Sequence, residues 1–252
     1  MLNSITDLIA IFIDQTLLIA ILISIFCAII QGYSGFGGGL IFVPLVASLY
    51  NPIDAILISC VGALITHSFL IPSTIKEINK IECLTVSLGV LITIPLGLLF
   101  LIAADPKLIM RGMGLFVLIS GILFLKGWNY SGPKNYKVSV IAGALSGLFL
   151  GGLGIPTGPI MVKYLMSGKE PIKIKRANII VIVLITVAAF IVTLAFHNQI
   201  STQALFLSLV LTPAFILGSF IGKYFFERFP ISWFKNCVNF LLILTGLAFI
   251  AI

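Results

Sequence analysis

Gln31-Gly32-Tyr33-Ser34-Gly35-Phe36-Gly37-Gly38-Gly39-Leu40-Ile41-Phe42-Val43-Pro44 is the stretch on which the fold turns. It lies inside a long apolar run, yet four of the five residues from Gly35 to Gly39 are glycine. Each glycine costs a helix about 1 kcal/mol relative to alanine, so the run predicts a broken helix. At membrane depth, irregular backbone persists only where protein or a water-filled cavity supplies partners for its N–H and C=O groups. The break is therefore a candidate binding site. The competing reading is close helix packing, which small residues also permit.

Working outward, 60% of the 252 residues are apolar and 9% charged. Soluble domains carry about a quarter charged residues, so the chain reads as an all-α polytopic membrane protein in a single transmembrane domain. The net charge of +7 does not argue for nucleic acid, because the basic residues sit in short loops where they set topology. Cys27, Cys60, Cys83 and Cys237 are scattered without metal-ligand spacing, which predicts buried apolar roles and no metal. The first sixteen residues hold Asp7 and Asp14 but no Lys or Arg, so the opening apolar stretch is expected to remain in the mature protein.

A helix running unbroken from 17 to 50 would be about 51 Å long against a hydrocarbon core of about 30 Å. The break divides it into a helix ending near Tyr33 and a short one from about Gly38 to Tyr50, which enter and leave on one side. Helices are then expected over Ile53 to Ile71 (ended by Pro72), Cys83 to Ala103 and Lys107 to Lys126, with Ser73 to Glu82 a loop. Residues 128–137 form a linker between a first repeat, about 8–127, and a second, about 138–252. The second repeats the plan: Val138 to Leu153, a break at Gly154-Ile155-Pro156-Thr157-Gly158-Pro159, a short helix to Met166, a basic loop to Arg176, and spans at Ala177 to Phe196, Gln203 to Phe225 and Trp233 to Ile252. Sliding the chain by 119 positions matches Gly32, Gly35, Gly39, Ile41, Val43, Ser48, Pro52 and Ile53 to Gly151, Gly154, Gly158, Ile160, Val162, Ser167, Pro171 and Ile172. That spacing is an internal duplication.

One hairpin plus three spans per repeat inverts the second repeat relative to the first. With both termini outside, thirteen Lys and Arg fall inside and only Lys107 and Arg111 outside. Counting each hairpin as one span gives ten to five, so the positive-inside rule favours two inverted repeats, each a glycine-broken helical hairpin followed by three transmembrane helices. The glycine tips are expected to meet near the middle. There the short helices would present free N–H groups and a partial positive charge, a setting that suits a small anion.

These residues carry a resemblance. SGFGGGLIFVP at Ser34 to Pro44, with GALSGLFLGGLGIPTGPIMVKYL at Gly143 to Leu165, resembles the sulfite exporter TauE/SafE family over nearly the whole chain. Pro156-Thr157 stands where a glycine pair is more usual, and Lys163 departs from the pattern of the short helix. The resemblance implies a bacterial inner-membrane permease for small, often sulfur-containing anions such as sulfite, sulfonates and sulfoacetate.

The candidate substrate-binding residues are Gln31, Ser34, Gly35, Phe36, Gly37, Gly38 and Gly39 at the first break, and Gly154, Ile155, Pro156, Thr157 and Gly158 at the second. Ser59 and Asn178, at equivalent repeat positions, line the cavity or tie helices together. His67 is a candidate for proton coupling, against a helix-end histidine bonded to a carbonyl. Lys163 is a candidate for anion pairing, against snorkelling to the surface. Asp54 reads as a helix-start carboxylate. No catalytic constellation, nucleotide site or cofactor motif stands out, so any driving force is an ion gradient, proton or sodium, or the substrate's own. The expectation is a secondary transporter working by alternating access, with a passive anion channel and a membrane-embedded enzyme or assembly factor as rivals.

Overall fold

The computed structural model describes residues 15–127, 130–155, 159–228 and 231–250, and among them every regular element is helical. The helices are α1 (Gln15–Ser34), α2 (Gly38–Ala47), α3 (Pro52–Thr74), α4 (Lys80–Ala103), α5 (Pro106–Leu125), α6 (Tyr136–Leu153), α7 (Pro159–Met166), α8 (Ile172–Phe196), α9 (Thr202–Arg228) and α10 (Ile231–Ile250). Seven of them among the described residues are long and apolar enough to cross a membrane. The chain is an all-α, multi-pass membrane protein. Large apolar side chains such as Leu22, Ile92, Leu209 and Phe196 are exposed on its outside, where lipid rather than water is the solvent.

Local chemistry sets the helix starts. Asn51, Asn79, Asp105 and Asn135 each accept a backbone N–H from the first turn of the helix they precede, using donors the helix itself cannot satisfy. Pro52 and Pro106 occupy first-turn positions where the missing N–H costs nothing. Several boundaries differ from the sequence expectation. Helix α3 runs through Pro72 to Thr74, and the expected loop from Ser73 to Glu82 contracts to a 3-10 turn (Ile75–Glu77) and two residues before α4. Pro44, Pro95 and Pro213 also lie inside helices; in a bundle, neighbouring groups re-satisfy the carbonyl that a proline frees. Helix α8 begins at Ile172, so Arg176 is part of it rather than of the loop.

Helices α3 and α8 form the centre. Every residue from Asp54 to Cys60 and from Arg176 to Val183 is buried, the mark of a helix covered all round. Their ends are tied crosswise. The Asn79 N–H, just beyond α3, donates to Asn178 Oδ1 near the start of α8 (2.8 Å). Ser201, just beyond α8, donates to Asp54 Oδ1 near the start of α3 (2.7 Å). The two helices therefore run antiparallel.

Around this pair, α4 packs along α6, α1 along α9, and α5 along α10. The first two seams are made by glycines. A Cβ on Gly143 would fall 2.1 Å from the Val86 carbonyl oxygen, and one on Gly151 2.5 Å from that of Ile94. In the α1–α9 seam, a Cβ on Gly222 would fall 2.3 Å from the Ile29 carbonyl oxygen. Absent side chains let the backbones touch, and apolar lipid gives helices no hydrophobic reason to associate, so such packing is a main source of adhesion.

Candidate functional site

The first glycine break lies between α1 and α2. Gly35 and Gly37 have φ of 81° and 89°, a region costly to residues with a Cβ. Ser34 Oγ donates within the tip, to Ile30 O (2.7 Å) or Phe36 O (2.5 Å), and accepts the Phe36 N–H (3.2 Å). It shapes the turn. A Cβ on Gly38 would fall 2.4 Å from the Cys27 carbonyl oxygen, so α2 starts hard against α1, and glycine at 38 answers a packing demand. The early N–H groups of α2, at Gly38 and Gly39, belong to the first turn and lack the acceptors that interior residues have.

Three side chains from other positions reach this tip. His67, fully buried in α3, places Nε2 3.1 Å from the Gly35 carbonyl and Nδ1 2.6 Å from the Ala63 carbonyl. Gln31 Nε2 stands 3.4 Å from Nδ1. Both carbonyls are satisfied at once only by an imidazolium. A neutral ring donates to one of them only, from Nε2 to Gly35 or from Nδ1 to Ala63. Arg176, in α8, donates from Nε to the Tyr33 carbonyl (3.1 Å) and from Nη2 to the Gly32 carbonyl (2.7 Å), capping the end of α1. Its guanidinium carbon lies 4.1 Å from the centre of the Phe226 ring.

Lys163, on α7, connects to the tip through aromatic rings. Its ammonium sits 4.8 Å from the centre of the Phe124 ring, which in turn packs on Phe36 of the tip at 5.9 Å between centroids. The side chain is 4% exposed.

The second break is built differently and lies elsewhere. Gly154 ends α6 in the left-handed region (φ 62°), with its N–H on the Leu150 carbonyl, and Ile155 after it is buried. A Cβ on Gly154 would strike the Ile56 side chain. Gly35 meets α3 at His67 and Gly154 meets it at Ile56. Eleven residues of helix separate the contacts, about 16 Å along the axis. Gly35 and Gly154 therefore lie apart. The reason is length: the twenty residues of α1 extend about 30 Å, the whole hydrocarbon core. Pro156, Thr157 and Gly158 lie outside the described residues.

Ser59 and Asn178 sit in unlike surroundings. Ser59 is buried on α3. Asn178 is wholly engaged: Nδ2 donates to Glu82 Oε2 (2.7 Å), and Oδ1 accepts from the Asn79 N–H and more weakly from Cys83 Sγ. Glu82 Oε1 in turn accepts from Lys134 of the linker at 2.8 Å. Arg176, Glu82 and Lys134 were all absent from the sequence-derived site. A signal for Arg176 existed: the duplication pairs Pro171 with Pro52, and a helix starting there carries Arg176 into the bundle. Among the described residues, no group of three His, Cys, Asp or Glu could hold a metal.

The profile of the sulfite exporter TauE/SafE family matches residues 20–249. Comparison with curated proteins and with solved structures gives no match.

Proposed function

The chain belongs to the sulfite exporter TauE/SafE family, and from that premise we propose that it is a secondary transporter or facilitator for a small anion, sulfur-containing by preference, such as sulfite, a sulfonate or sulfoacetate. The observation that carries this reading is the family match over nearly the whole chain. Membership of an exporter family, and not any missing residue, is what sets an enzymatic reading aside.

The architecture we propose is two inverted repeats, 8–127 and 138–252, in the bacterial inner membrane with both termini outside. Exchanging the repeats maps α1, α2, α3, α4 and α5 onto α6, α7, α8, α9 and α10. Under that exchange the α1–α9 seam becomes the α6–α4 seam, while the α3–α8 and α5–α10 pairings map onto themselves. The antiparallel course of α3 and α8 supports inversion. So does the return of α2 along α1, seen in the contact of Gly38 with Cys27. Alternating access then follows from one repeat rocking against the other. Gln31, the glycines of the first tip and Ser59 face the path, and His67 is our candidate for proton coupling because two carbonyls compete for its ring.

Purified protein in liposomes tests this. Labelled sulfite or sulfoacetate should enter faster when the same anion is trapped inside. Uptake that runs down a gradient without such counterflow identifies a channel. Failure of every anion in the class to move refutes the proposal.

A further inference from the structure

We infer that Arg176 is the cation that receives the transported anion, and that the first tip therefore selects oxyanions able to present two oxygens to one guanidinium. This rests on the reading of the chain as an anion carrier and deepens it by naming the residue.

The argument starts from charge. Arg176 is 7% exposed. Among the described residues it has no carboxylate within ion-pair distance. A buried charge is expensive unless something compensates it. Two of its five N–H donors meet carbonyls at the end of α1. That helix end carries about half a negative charge, and the start of α2, a few residues on, contributes about half a positive charge. The two helix ends offset each other, and the Arg176 charge is balanced only in part, by the Glu227 carboxylate on α9, which lies beyond ion-pair distance. Three guanidinium N–H groups have no hydrogen-bond partner among the described residues. The two carbonyl bonds orient the guanidinium, and the Phe226 ring lies 4.1 Å from its carbon. A planar fork held in this way matches a sulfonate or sulfite, whose oxygens accept two parallel hydrogen bonds.

The repeats are unequal here. The position equivalent to Arg176 is Leu57, and the second tip is packed by the neighbouring Ile56 instead. Among the described residues of the two tips, a guanidinium bonds to the first only. Gly35 lies against it: a Cβ there would be in ordinary contact with Arg176 Cγ at 3.6 Å and tighter against the Ile180 side chain at 3.2 Å, while the φ of 81° is what calls for glycine.

The test is a thermal-shift titration of the purified full chain with sulfite, sulfoacetate and, for comparison, chloride. Each variant is read against its own ligand-free melting temperature, which separates loss of the α1 cap from loss of binding. The wild type should be stabilised by the two oxyanions and not by chloride. Arg176→Gln should raise the half-saturating oxyanion concentration about tenfold or more, as loss of a charge-assisted bond predicts. Arg176→Lys keeps the charge without the fork and should fall between; it decides the matter if the glutamine variant does not fold. Lys169→Gln, an equal charge change at an exposed loop residue, should bind as the wild type does. Unchanged half-saturation in Arg176→Gln, or in Arg176→Lys when only that variant folds, overturns the assignment of Arg176 while leaving the carrier reading intact. Equal stabilisation by chloride overturns the oxyanion selectivity. Absence of any stabilisation of the folded wild type by all anions overturns both.

Discussion

At the scale of single residues, His67 is the clearest point of leverage. It is the contact that ties α3 to the Gly35 carbonyl in the first tip. His67→Ala would leave that buried carbonyl without its donor, a loss of about 2 kcal/mol within the usual range. For a chain of this size that corresponds to a melting temperature about 4–8 °C lower. In His67→Gln the side-chain amide nitrogen reaches the place of Nε2, so melting should return close to the wild-type value while proton-coupled uptake does not, because an amide does not titrate. A glutamine variant that transports with an unchanged proton dependence would remove His67 from the coupling path. The sequence singled out His67 from its polar neighbours Thr66 and Ser68, and the Ala63 carbonyl is one helical turn away, but Gly35 and Gln31 come from more than thirty positions away and no spacing rule points to them. Arg176 was hidden for a different reason. Its run of basic neighbours, Lys173 and Lys175, reads as a solvated loop, and only the helix start at Ile172 turns the side chain inward.

At the scale of elements, the glycines divide into two kinds. Some shape turns, as Gly35 and Gly37 do with their positive φ. Others make seams, and these are legible as a spacing: Gly143, Gly147 and Gly151 recur every four residues on α6 and all face α4. Gly143→Val should separate the two helices, because its Cβ would meet the Val86 carbonyl at 2.1 Å and backbone cannot yield as a side chain can. Overpacking of this kind costs about 1–3 kcal/mol. Gly112→Ala should be tolerated, since its nearest neighbour is a terminal methyl of Leu153 at 2.9 Å. Detergent-solubilised protein run on size exclusion, with melting curves, compares the two; equal behaviour would show that the α4–α6 seam has slack. The breaks and the order of helices were readable from glycine and proline positions. The depth of the tips was not, because it depends on how far α1 and α6 extend, and a hairpin that stops at mid-membrane differs from one that crosses only in helix length.

At the scale of the whole molecule, the polar bonds collect at the two ends of the central α3–α8 pair. One end holds Asn79, Glu82, Lys134 and Asn178; the other holds Asp54 and Ser201. Between them lie apolar runs, Ile56 to Ile58 and Ile179 to Val183, with buried Ser59, Thr66, His67 and Thr186 interspersed. Under the proposed alternating access, opening towards one side would break the bonds on that side while the other set holds. Glu82 then stabilises the state in which its own end is shut. Cys83 is a native reporter of that end, 4% exposed with its thiol against Asn178 Oδ1. In a chain whose other cysteines are replaced by alanine, a membrane-impermeant maleimide applied from the side carrying Lys134 should label Cys83 slowly. Glu82→Gln weakens a charge-assisted contact by about 1.5–3 kcal/mol, so the labelled state should become about ten- to a hundredfold more populated. Asp54→Asn, which loosens the opposite end, should slow labelling further. Were Glu82→Gln to leave the rate unchanged, the buried carboxylate would be a static tie between the halves, and the moving boundary would have to be sought at the α1–α9 and α4–α6 seams.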